Sequence, residues 1–296
     1  MGKILVSGLV NLETSAKVDR FPIEYSPIDY PFFGVETCVS GVGFNVAKAL
    51  KTLGSKADLI SEIGDDLGGE MVVSQAKKDG IDPSHLLVCP GCKTAESVVL
   101  VDKEGKRKIY CDLKDLQEKE PLTGRDIDLE KYSLAVLTNI NFNRRLLDEA
   151  KGKGIIIATD VHLISSLDDS YNRDFMEKAD ILFFSNEGIL GREGDFMREV
   201  FGRYHNEIIV CGCGKEGALL YIGKADRFHF EKAVAPRGIV STVGAGDALF
   251  SAFLHFYNKG LNPEECLHKA VLFAGVKISE AGGSSGFISE QELASL

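Results

Sequence analysis

The sequence predicts an α/β fold of three layers, in which helices cover both faces of a mainly parallel central sheet and a small antiparallel β lid is added. The first observation is an alternation of strand-like and helix-like segments almost from end to end, which is typical of a parallel sheet wrapped by helices. The second is that residues 14–39 and 94–113 lack helical period and alternate apolar with polar residues, so we expect them to form the lid. Within the second segment, the four residues Lys103 to Lys106 predict a hairpin turn.

Six short runs rich in β-branched and other apolar residues predict the strands of the main sheet. In chain order they are Lys3–Leu9, Ala57–Glu62, Leu134–Thr138, Gly154–Asp160, Asp180–Ser185 and Glu207–Val210. Helical periodicity follows several of these runs and predicts the helices Val46–Leu53, Gly69–Asp79, Arg144–Lys151, Ser170–Lys178 and Asp195–Arg203. No repeat, low-complexity tract or proline-rich linker separates the segments, so we expect a single domain over residues 1–296.

The composition is that of an ordinary globular protein with enough chain to bury a large core. It has 296 residues, of which 44% are hydrophobic and 26% are charged. The formal net charge of −10 argues against nucleic acid as a partner, because binding a phosphate backbone needs basic surface. It leaves anionic small molecules open, since local fields decide whether they bind.

The apolar runs and the cysteines bear on location. No apolar run approaches the roughly 18 residues that span a bilayer, so we expect no membrane partner. The run Ile4–Val10 is too short for a secretory signal, which favours a cytoplasmic protein. Among the seven cysteines, Cys89 and Cys92 have metal or redox spacing, but the sequence offers no second Cys/His pair to complete a zinc site. We therefore expect reduced, structural cysteines.

The most informative segment is a glycine-rich turn that runs directly into an apolar helix. Residues Ser241 to Asp247 read Ser-Thr-Val-Gly-Ala-Gly-Asp, and the apolar residues 248–254 follow. Such a junction leaves backbone N–H groups unpaired at the positive end of the helix dipole, which makes an anion site. Asp247 would lie beside a bound phosphate, where a carboxylate is a suitable base for an attacking hydroxyl. For this segment alone, a tight turn whose aspartate caps the helix is the alternative, and the two roles are compatible.

A second motif opens another apolar helix. Residues Ser40 to Ala47 read Ser-Gly-Val-Gly-Phe-Asn-Val-Ala. The two motifs, about two hundred residues apart, together resemble the signatures of the ribokinase-like (phosphofructokinase B type) family of sugar and nucleoside kinases. The resemblance covers nearly the whole chain and implies the ribokinase-like fold with its lid. It also implies transfer of the γ-phosphate of ATP to a hydroxymethyl group, with Mg²⁺ bridging the phosphates.

The resemblance implies roles for individual residues at both motifs. Asp247 is the expected catalytic base, and the anion hole is expected from Gly244, Ala245 and Gly246. The expected substrate contacts are Asn11, Glu13, Gly41, Gly43 and Asn45. Glu13 stands where the family has an aspartate that grips sugar hydroxyls. Asn45 can donate to and accept from hydroxyls, while the two glycines would let a sugar approach the backbone closely.

A third glycine-rich segment, Gly212 to Gly217, formally matches the dinucleotide fingerprint G-x-G-x-x-G. That fingerprint needs a helix to begin within it, whereas the strand-like residues 218–223 follow, so we expect a β-hairpin. In the resembled family such a turn borders the nucleotide. The expected ATP contacts are Asn186, Gly214, Lys215, Gly217, Thr242 and Ala274. Lys215 either reaches a phosphate or is a solvated turn lysine. No G-x-x-x-x-G-K-[ST] P-loop occurs in the sequence, which disfavours a Walker NTPase.

Three positions depart from the family pattern. Ser241 replaces an aspartate that is linked in many relatives to a monovalent-cation site, which makes K⁺ activation doubtful here. Ser40 replaces a glycine and would narrow the sugar pocket. The Asn-x-x-Glu pattern linked to Mg²⁺ begins at Asn186 but has Ile189 at its fourth position, so the neighbouring Glu187 is the candidate metal ligand.

The sequence does not decide whether the phosphoryl acceptor is a sugar or a nucleoside. A nucleoside kinase of the pseudouridine type is one specific alternative. Two alternatives come from other classes: a degenerate family member that senses a ligand and, ranked last, an NAD-dependent oxidoreductase that uses the Gly212–Gly217 turn. A sugar phosphate would need a basic cluster that the sequence does not reveal. We expect His162 to be structural rather than a substrate contact. We also expect a homodimer through the lid, because an exposed sheet edge invites pairing.

Overall fold

The computed structural model describes residues 2–117 and 127–296. Within them the strands are β1 (Lys3–Ser7), β2 (Asn11–Lys17), β3 (Val35–Ser40), β4 (Ala57–Gly64), β5 (Leu86–Cys89), β6 (Glu96–Val101), β7 (Arg107–Asp112), β8 (Tyr132–Leu137), β9 (Ile156–Leu163), β10 (Ile181–Ser185), β11 (Ile208–Gly212), β12 (Gly217–Ile222) and β13 (Arg227–Lys232). The α-helices are α1 (Val42–Thr52), α2 (Leu67–Lys78), α3 (Arg144–Gly152), α4 (Arg173–Lys178), α5 (Glu193–Tyr204), α6 (Ala245–Asn258), α7 (Pro263–Lys277) and α8 (Glu290–Leu293). Each predicted strand and helix has a counterpart in this series.

The strands form two separate sheets. The large sheet has nine strands in the order β13-β12-β11-β10-β9-β8-β1-β4-β5, and its pairs are parallel from β5 through to β11. Only β12 and β13, at one end, run antiparallel to their neighbours. The predicted α/β class with a mainly parallel sheet is therefore confirmed.

Alternate residues of the central strands feed two hydrophobic cores, one on each face of the large sheet. Ile4 and Val6 of β1 point into a core that includes buried residues of α1, α2, α6 and α7. Leu5, between them, points into a second core with α3, α4 and α5. The period of two along a strand produces this division, and the fold consequently has three layers.

The small sheet has the order β3-β2-β6-β7 and forms the predicted lid. Its outer pairs, β2–β3 and β6–β7, are antiparallel, whereas the central pair β2–β6 is parallel. The predicted hairpin joins β6 to β7, with Gly105 at a φ of 80° in its turn. Several large apolar side chains of the lid are exposed, among them Val98, Ile109 and Tyr110.

The Gly212–Gly217 segment is a hairpin, as predicted. Strand β12 follows it and pairs antiparallel with β11, so the segment does not begin the helix that a dinucleotide fingerprint requires. Gly217 has a φ of 133°, and a Cβ there would lie 2.0 Å from the carbonyl oxygen of Glu231. Glycine is thus required by the close approach of β13 to the turn.

The expectation that all cysteines are reduced is wrong for one pair, because Cys89 and Cys92 form a disulfide. Their Cα atoms are 5.4 Å apart, since the turn after β5 brings Cys92 back to donate its N–H to the Cys89 carbonyl. The other five cysteines are free thiols. Across the described ranges, no helix is both long enough and apolar enough to cross a membrane.

Candidate active site

The glycine-rich turn leads into α6, as the sequence predicts. Gly244 caps the helix with a φ of 76°, and a Cβ at this position would lie 2.3 Å from the carbonyl oxygen of Gly283. The N–H of Ala245 donates to the Thr242 carbonyl at 3.2 Å, so it is already paired. The N–H groups of Gly246 and Asp247 have no backbone acceptor within the described ranges. The Ala245 N–H is therefore used within the turn, while the Gly246 and Asp247 N–H groups are free to bind an anion; the predicted anion hole at Gly244, Ala245 and Gly246 is revised in this respect and otherwise stays a prediction.

Asp247 and Asn45 bring the two motifs into direct contact. The Asn45 side-chain Nδ2 donates to Asp247 Oδ2 at 2.6 Å, across 202 residues of sequence. Burial raises the pKa of Asp247 above its ordinary value, while the Asn45 hydrogen bond and the positive charges of His162 and Lys277 oppose the rise. The carboxylate of Asp160 adds to it. A carboxylate with a raised pKa is a stronger base than an ordinary aspartate, which suits proton acceptance from an alcohol.

A chain of polar contacts runs from Asn45 to Glu13. The hydroxyl of Ser40 lies 3.3 Å from Asn45 Oδ1 and 3.1 Å from Glu13 Oε2, within donating distance of both. Ser40 and Glu13 lie on the neighbouring strands β3 and β2, where Asn11 pairs directly with Ser40. The β2–β3 pairing and the Ser40 hydroxyl therefore link Asn11 and Glu13 to Asn45, which in turn contacts Asp247.

Two oxygens of this cluster lack a protein partner. Glu13 Oε1 and Asn11 Oδ1 are buried, and neither has a hydrogen-bond donor in the described part of the chain. The Asn11 amide nitrogen, by contrast, donates to the Ser97 hydroxyl at 3.0 Å. A buried acceptor without a donor costs about 1–3 kcal/mol, so such atoms are characteristically completed by a ligand or water. Two adjacent acceptors are suited to the hydroxyls of a polyol.

Gly41 and Gly43 allow the chain's own backbone to pack closely at the start of α1, and the predicted substrate contact at these two glycines stays a prediction. A Cβ on Gly41 would lie 2.5 Å from the Leu9 carbonyl oxygen, and one on Gly43 would lie 2.6 Å from Gly8 backbone atoms. The space beside both glycines is therefore filled by the chain's own backbone. They let α1 begin against the end of β1, and in this way they place Asn45 correctly.

Gly283 is a site residue that the sequence analysis missed. A Cβ at Gly283 would lie 2.6 Å from the Ser40 hydroxyl and 3.0 Å from Asn45 Nδ2. The residue therefore lies against the polar cluster of Ser40 and Asn45 and against the Gly244 turn at the same time. The glycine- and serine-rich run 281–286 directly after α7 was the available signal.

Asp160 and His162 are two further charged residues near Asp247. Asp160 is buried at the end of β9 and accepts the His162 N–H at 2.8 Å. His162 has a φ of 59°, which is unusual for a side chain of its size, and a little under half of its side chain is exposed. His162 Nδ1 also lies 3.7 Å from Asp160 Oδ2, and the expectation that this histidine is structural stays a prediction.

At Asn186, one of the predicted nucleotide contacts, the neighbouring carboxylate belongs to Glu193 and not to Glu187. Asn186 Nδ2 donates to Glu193 Oε1 at 2.9 Å, whereas Glu187 is exposed. Burial acts to raise the pKa of Glu193, but hydrogen bonds from Asn186 and from the amides of Glu193 and Gly191 outweigh it and hold the pKa below its ordinary value. The pair offers an ionised carboxylate and an amide at the end of β10.

The other predicted nucleotide contacts lie in the turn between β11 and β12 and on helix α7. Lys215 is exposed in the turn between β11 and β12, and Glu216 in that turn accepts the Ala233 N–H at 3.1 Å. The next residue, Val234, lies against Gly275, beside the half-buried Ala274. The structure therefore brings the Gly214–Gly217 turn and the Ala274 region of α7 to one place.

The lid reaches the anion-binding turn through Arg107, which the sequence analysis did not identify. Its guanidinium Nη1 donates to Thr242 Oγ1 at 3.0 Å and lies 3.4 Å from the Thr242 carbonyl oxygen. Both residues are exposed. The contact places a permanent positive charge at the mouth of the turn whose amides are free, and so favours a bound anion.

The arrangement can support transfer of a charged group to an alcohol. It combines a base, free amides at a helix start, an arginine and buried hydroxyl acceptors. No group of three or more His, Cys, Asp or Glu side chains in residues 2–117 and 127–296 is arranged to hold a metal ion.

Comparison with known families gives a match to the pfkB family carbohydrate kinases over residues 1–290. Among curated proteins, the chain is 25% identical over 279 residues to the acarbose 7(IV)-phosphotransferase of Actinoplanes sp., covering 89% of this chain and 88% of that protein.

Solved structures share the whole fold. A microbiome-derived acarbose kinase superimposes with a TM-score of 0.87 and 24% identity, covering 100% of this chain and 98% of the other. Arabidopsis thaliana ribokinase, complexed with ribose and ATP, has a TM-score of 0.80 and 19% identity, covering 99% and 97% of the two chains.

Proposed function

The chain belongs to the pfkB family of carbohydrate kinases, and we propose that Asp247 is the base with which it passes the γ-phosphoryl group of ATP to a hydroxymethyl group of a sugar or nucleoside. The observation that carries the assignment is the 2.6 Å hydrogen bond from Asn45 to Asp247. Through Ser40 and Asn45 the proposed base is linked to Glu13, whose other oxygen is unpartnered, and Asp247 itself lies in the first turn of α6, where two amides are free.

In the proposed mechanism, Asn11, Glu13 and Asn45 hold the acceptor so that one hydroxyl faces Asp247. The Asp247 carboxylate takes the hydroxyl proton as the oxygen bonds to phosphorus. The amides of Gly246 and Asp247 stabilise the negative charge on the transferring group, because they are fixed at the helix start before the reaction. Arg107 acts on the same charge from the lid.

For Mg²⁺, Asn186 and Glu193 are the residues that fit. The Glu193 carboxylate and the Asn186 amide both offer oxygen atoms, which are the ligands that Mg²⁺ prefers. The ion characteristically takes its other ligands from phosphates and water. When bound, Mg²⁺ would neutralise phosphate charge. That role does not need a site formed entirely by protein ligands. We therefore assign Glu193, and not Glu187, as the candidate Mg²⁺ ligand.

The acceptor itself is proposed to be uncharged. The carboxylates of Glu13, Asp160 and Asp247 lie around the acceptor position, where a phosphorylated sugar would be repelled. Free sugars and nucleosides carry hydroxyls that satisfy the two unpartnered oxygens. The nucleoside alternative therefore stays open beside the sugar.

A screen for ADP release tests the function. The protein is assayed with ATP and Mg²⁺ against free sugars, nucleosides and sugar phosphates. We expect turnover with an uncharged polyol. A sugar phosphate as the best acceptor would contradict the proposed class, and absence of turnover with all acceptors would favour the ligand-sensor alternative.

Glu13→Gln tests the acceptor contact. We expect kcat/KM for the acceptor to fall roughly tenfold to 100-fold, because a charged hydrogen bond to a hydroxyl is lost, while KM for ATP stays unchanged. Glu36→Gln is the matched control, since Glu36 is exposed on the neighbouring strand β3. Equal effects of the two changes on the acceptor, measured by steady-state kinetics, would remove Glu13 from the acceptor site.

Arg107→Met tests the lid contact. We expect kcat/KM for ATP to fall roughly tenfold to 100-fold, because the substitution removes a charge-assisted contact at the anion-binding turn. Lys108→Met is the control: it removes one positive charge from the adjacent position of β7, which faces the other way. If both variants lose the same activity, general lid charge rather than Arg107 is responsible.

Dimerisation through the lid and a cytoplasmic location stay predictions. The exposed Val98, Ile109 and Tyr110 support the first of them, because they leave apolar surface on the lid.

A further inference from the structure

Lys277, the last residue of α7, is a fully buried cation. None of its surface is exposed, and its Nζ donates to the carbonyl oxygens of Val243 and of Gly282, the latter at 2.8 Å. Lysine is almost never buried completely unless it is paired. Here the hydrogen-bond acceptors within the described ranges are backbone carbonyls and not carboxylates.

The two carbonyls belong to the two loops that build the anion site. Val243 lies in the turn that opens α6, and Gly282 lies in the run that places Gly283 against Gly244. The ends of these loops are also tied by the N–H groups of Val240 and Ser241, which donate to the Ile278 carbonyl at 2.8 and 3.1 Å. The ammonium group therefore connects the two loops from beneath.

This position bears directly on the amides of the turn. In an α-helix each N–H donates to the carbonyl four residues earlier, so the Val243 carbonyl is the acceptor that a regular helix would offer to the Asp247 N–H. Lys277 occupies that carbonyl, and the Asp247 N–H is left without a backbone acceptor in the described part of the chain. The amide is thereby available to an anion.

The charge of Lys277 is suited to this location. Burial lowers the pKa of Lys277 to about 8, while Asp247, Glu13 and Cys38 favour the protonated form and Arg107 opposes it. At neutral pH the side chain is thus mainly an ammonium ion. It places a positive charge behind the amides that face the phosphate.

A monovalent metal ion does not fit the same place. Rings of backbone carbonyls are the ligands that replace the hydration shell of K⁺, and here two such oxygens are already bound by an ammonium group. The hydroxyl of Ser241 is also engaged within the turn, where it accepts the Val243 N–H at 3.3 Å.

We propose that the Lys277 ammonium is a built-in cation that replaces a bound monovalent metal ion and positions the anion-binding turn, so that catalysis requires neither K⁺ nor Na⁺. The inference rests on the proposed kinase function. Lys277 is a positioning residue in this account, since it acts through the turn and does not touch the reacting atoms.

The test compares cations in the intact protein. Turnover of the wild-type protein is measured with its best acceptor in tetramethylammonium buffer, with and without KCl or NaCl, and we expect no change. Lys277→Ala should lose roughly 100-fold in kcat without K⁺, as expected when amides of an oxyanion-type site are misplaced, and should recover part of it when KCl is added. Lys48→Ala, which removes a lysine paired with Asp79 elsewhere, should show no response to K⁺.

Melting temperatures supply a readout that is independent of activity. KCl should raise the melting temperature of Lys277→Ala relative to tetramethylammonium chloride, and should leave the wild-type value unchanged. If Lys277→Ala does not fold, Lys277→Met is measured in the same way. If neither variant folds, the response of the wild-type protein to KCl and NaCl decides the question.

The outcomes separate the two proposals. The inference is overturned if the wild-type protein turns over only with K⁺ or if K⁺ raises its melting temperature. It is also overturned if a folded Lys277→Ala variant keeps full activity without K⁺. A wild-type protein without turnover on any acceptor overturns the kinase function. The melting temperatures then decide the inference by themselves.

Discussion

Replacing Asp247 by alanine should lower kcat by about two to four orders of magnitude, which is the usual contribution of a general base. The affinity for ADP, measured by calorimetry, should change little, because the nucleotide contacts lie on other elements. The physical reason is that the 2.6 Å hydrogen bond from Asn45 Nδ2 fixes the Asp247 carboxylate at the proposed acceptor position, and an alanine side chain has no group that takes the hydroxyl proton. A variant with near wild-type turnover would remove Asp247 from the mechanism.

The pH profile supplies the second half of this prediction. Asp247 must be deprotonated to act, and its pKa is raised, so activity should fall with acid at a higher pH than for an ordinary aspartate. The residual activity of Asp247→Asn should lack this acid limb. Asp128→Asn, which alters an exposed carboxylate paired with Lys131, is the control and should keep the limb.

Gly244→Ala should be the most damaging change that leaves every functional side chain in place. The added Cβ would meet the Gly283 carbonyl at 2.3 Å, and the residue must also keep a φ of 76°. We expect a loss of at least roughly 100-fold in kcat, because the turn moves its amides, and a decrease of about 2–5 kcal/mol in the free energy of unfolding.

The matched control is Gly260→Ala at the other end of α6. Gly260 has a φ of 89°, but nothing lies within 4 Å of the position that a Cβ would take there, so the substitution carries backbone strain without a steric clash. We expect a decrease of about 1–2 kcal/mol in unfolding free energy and no effect on kcat. Urea unfolding and steady-state kinetics measure both effects. Equal losses for the two variants would mean that the Gly283 contact does not matter.

Six of the nine strands of the large sheet, and the two motifs, could be predicted because they depend on local pattern. The six runs lie within β1, β4, β8, β9, β10 and β11 or differ from them by a few residues at their ends. Helix α1 begins four residues before the predicted Val46, because Gly41 with a φ of 97° turns the chain into the helix directly. A glycine-rich start does not show in apolar periodicity.

The residues that were missed depend on contacts between distant parts of the chain. Arg107 meets Thr242 across 135 residues, and Lys277 meets Val243 across 34. No spacing rule in the sequence connects these positions. The carboxylate beside Asn186 was misplaced for a related reason: the chain makes a 3-10 turn after β10, so Glu193 at the start of α5, and not its immediate neighbour, comes back to the amide.

The bond between Asn45 and Asp247 has a consequence for how the protein acquires its activity. A ribosome makes Asn45 first and needs 202 further residues to reach Asp247, which at about 5–20 residues per second takes roughly 10–40 s. Throughout that interval the nascent chain holds half of a catalytic centre. Because Asp247 is the proposed base, competence would arrive late in synthesis and in one step, and an N-terminal fragment that ends before Asp247 lacks the group that takes the hydroxyl proton.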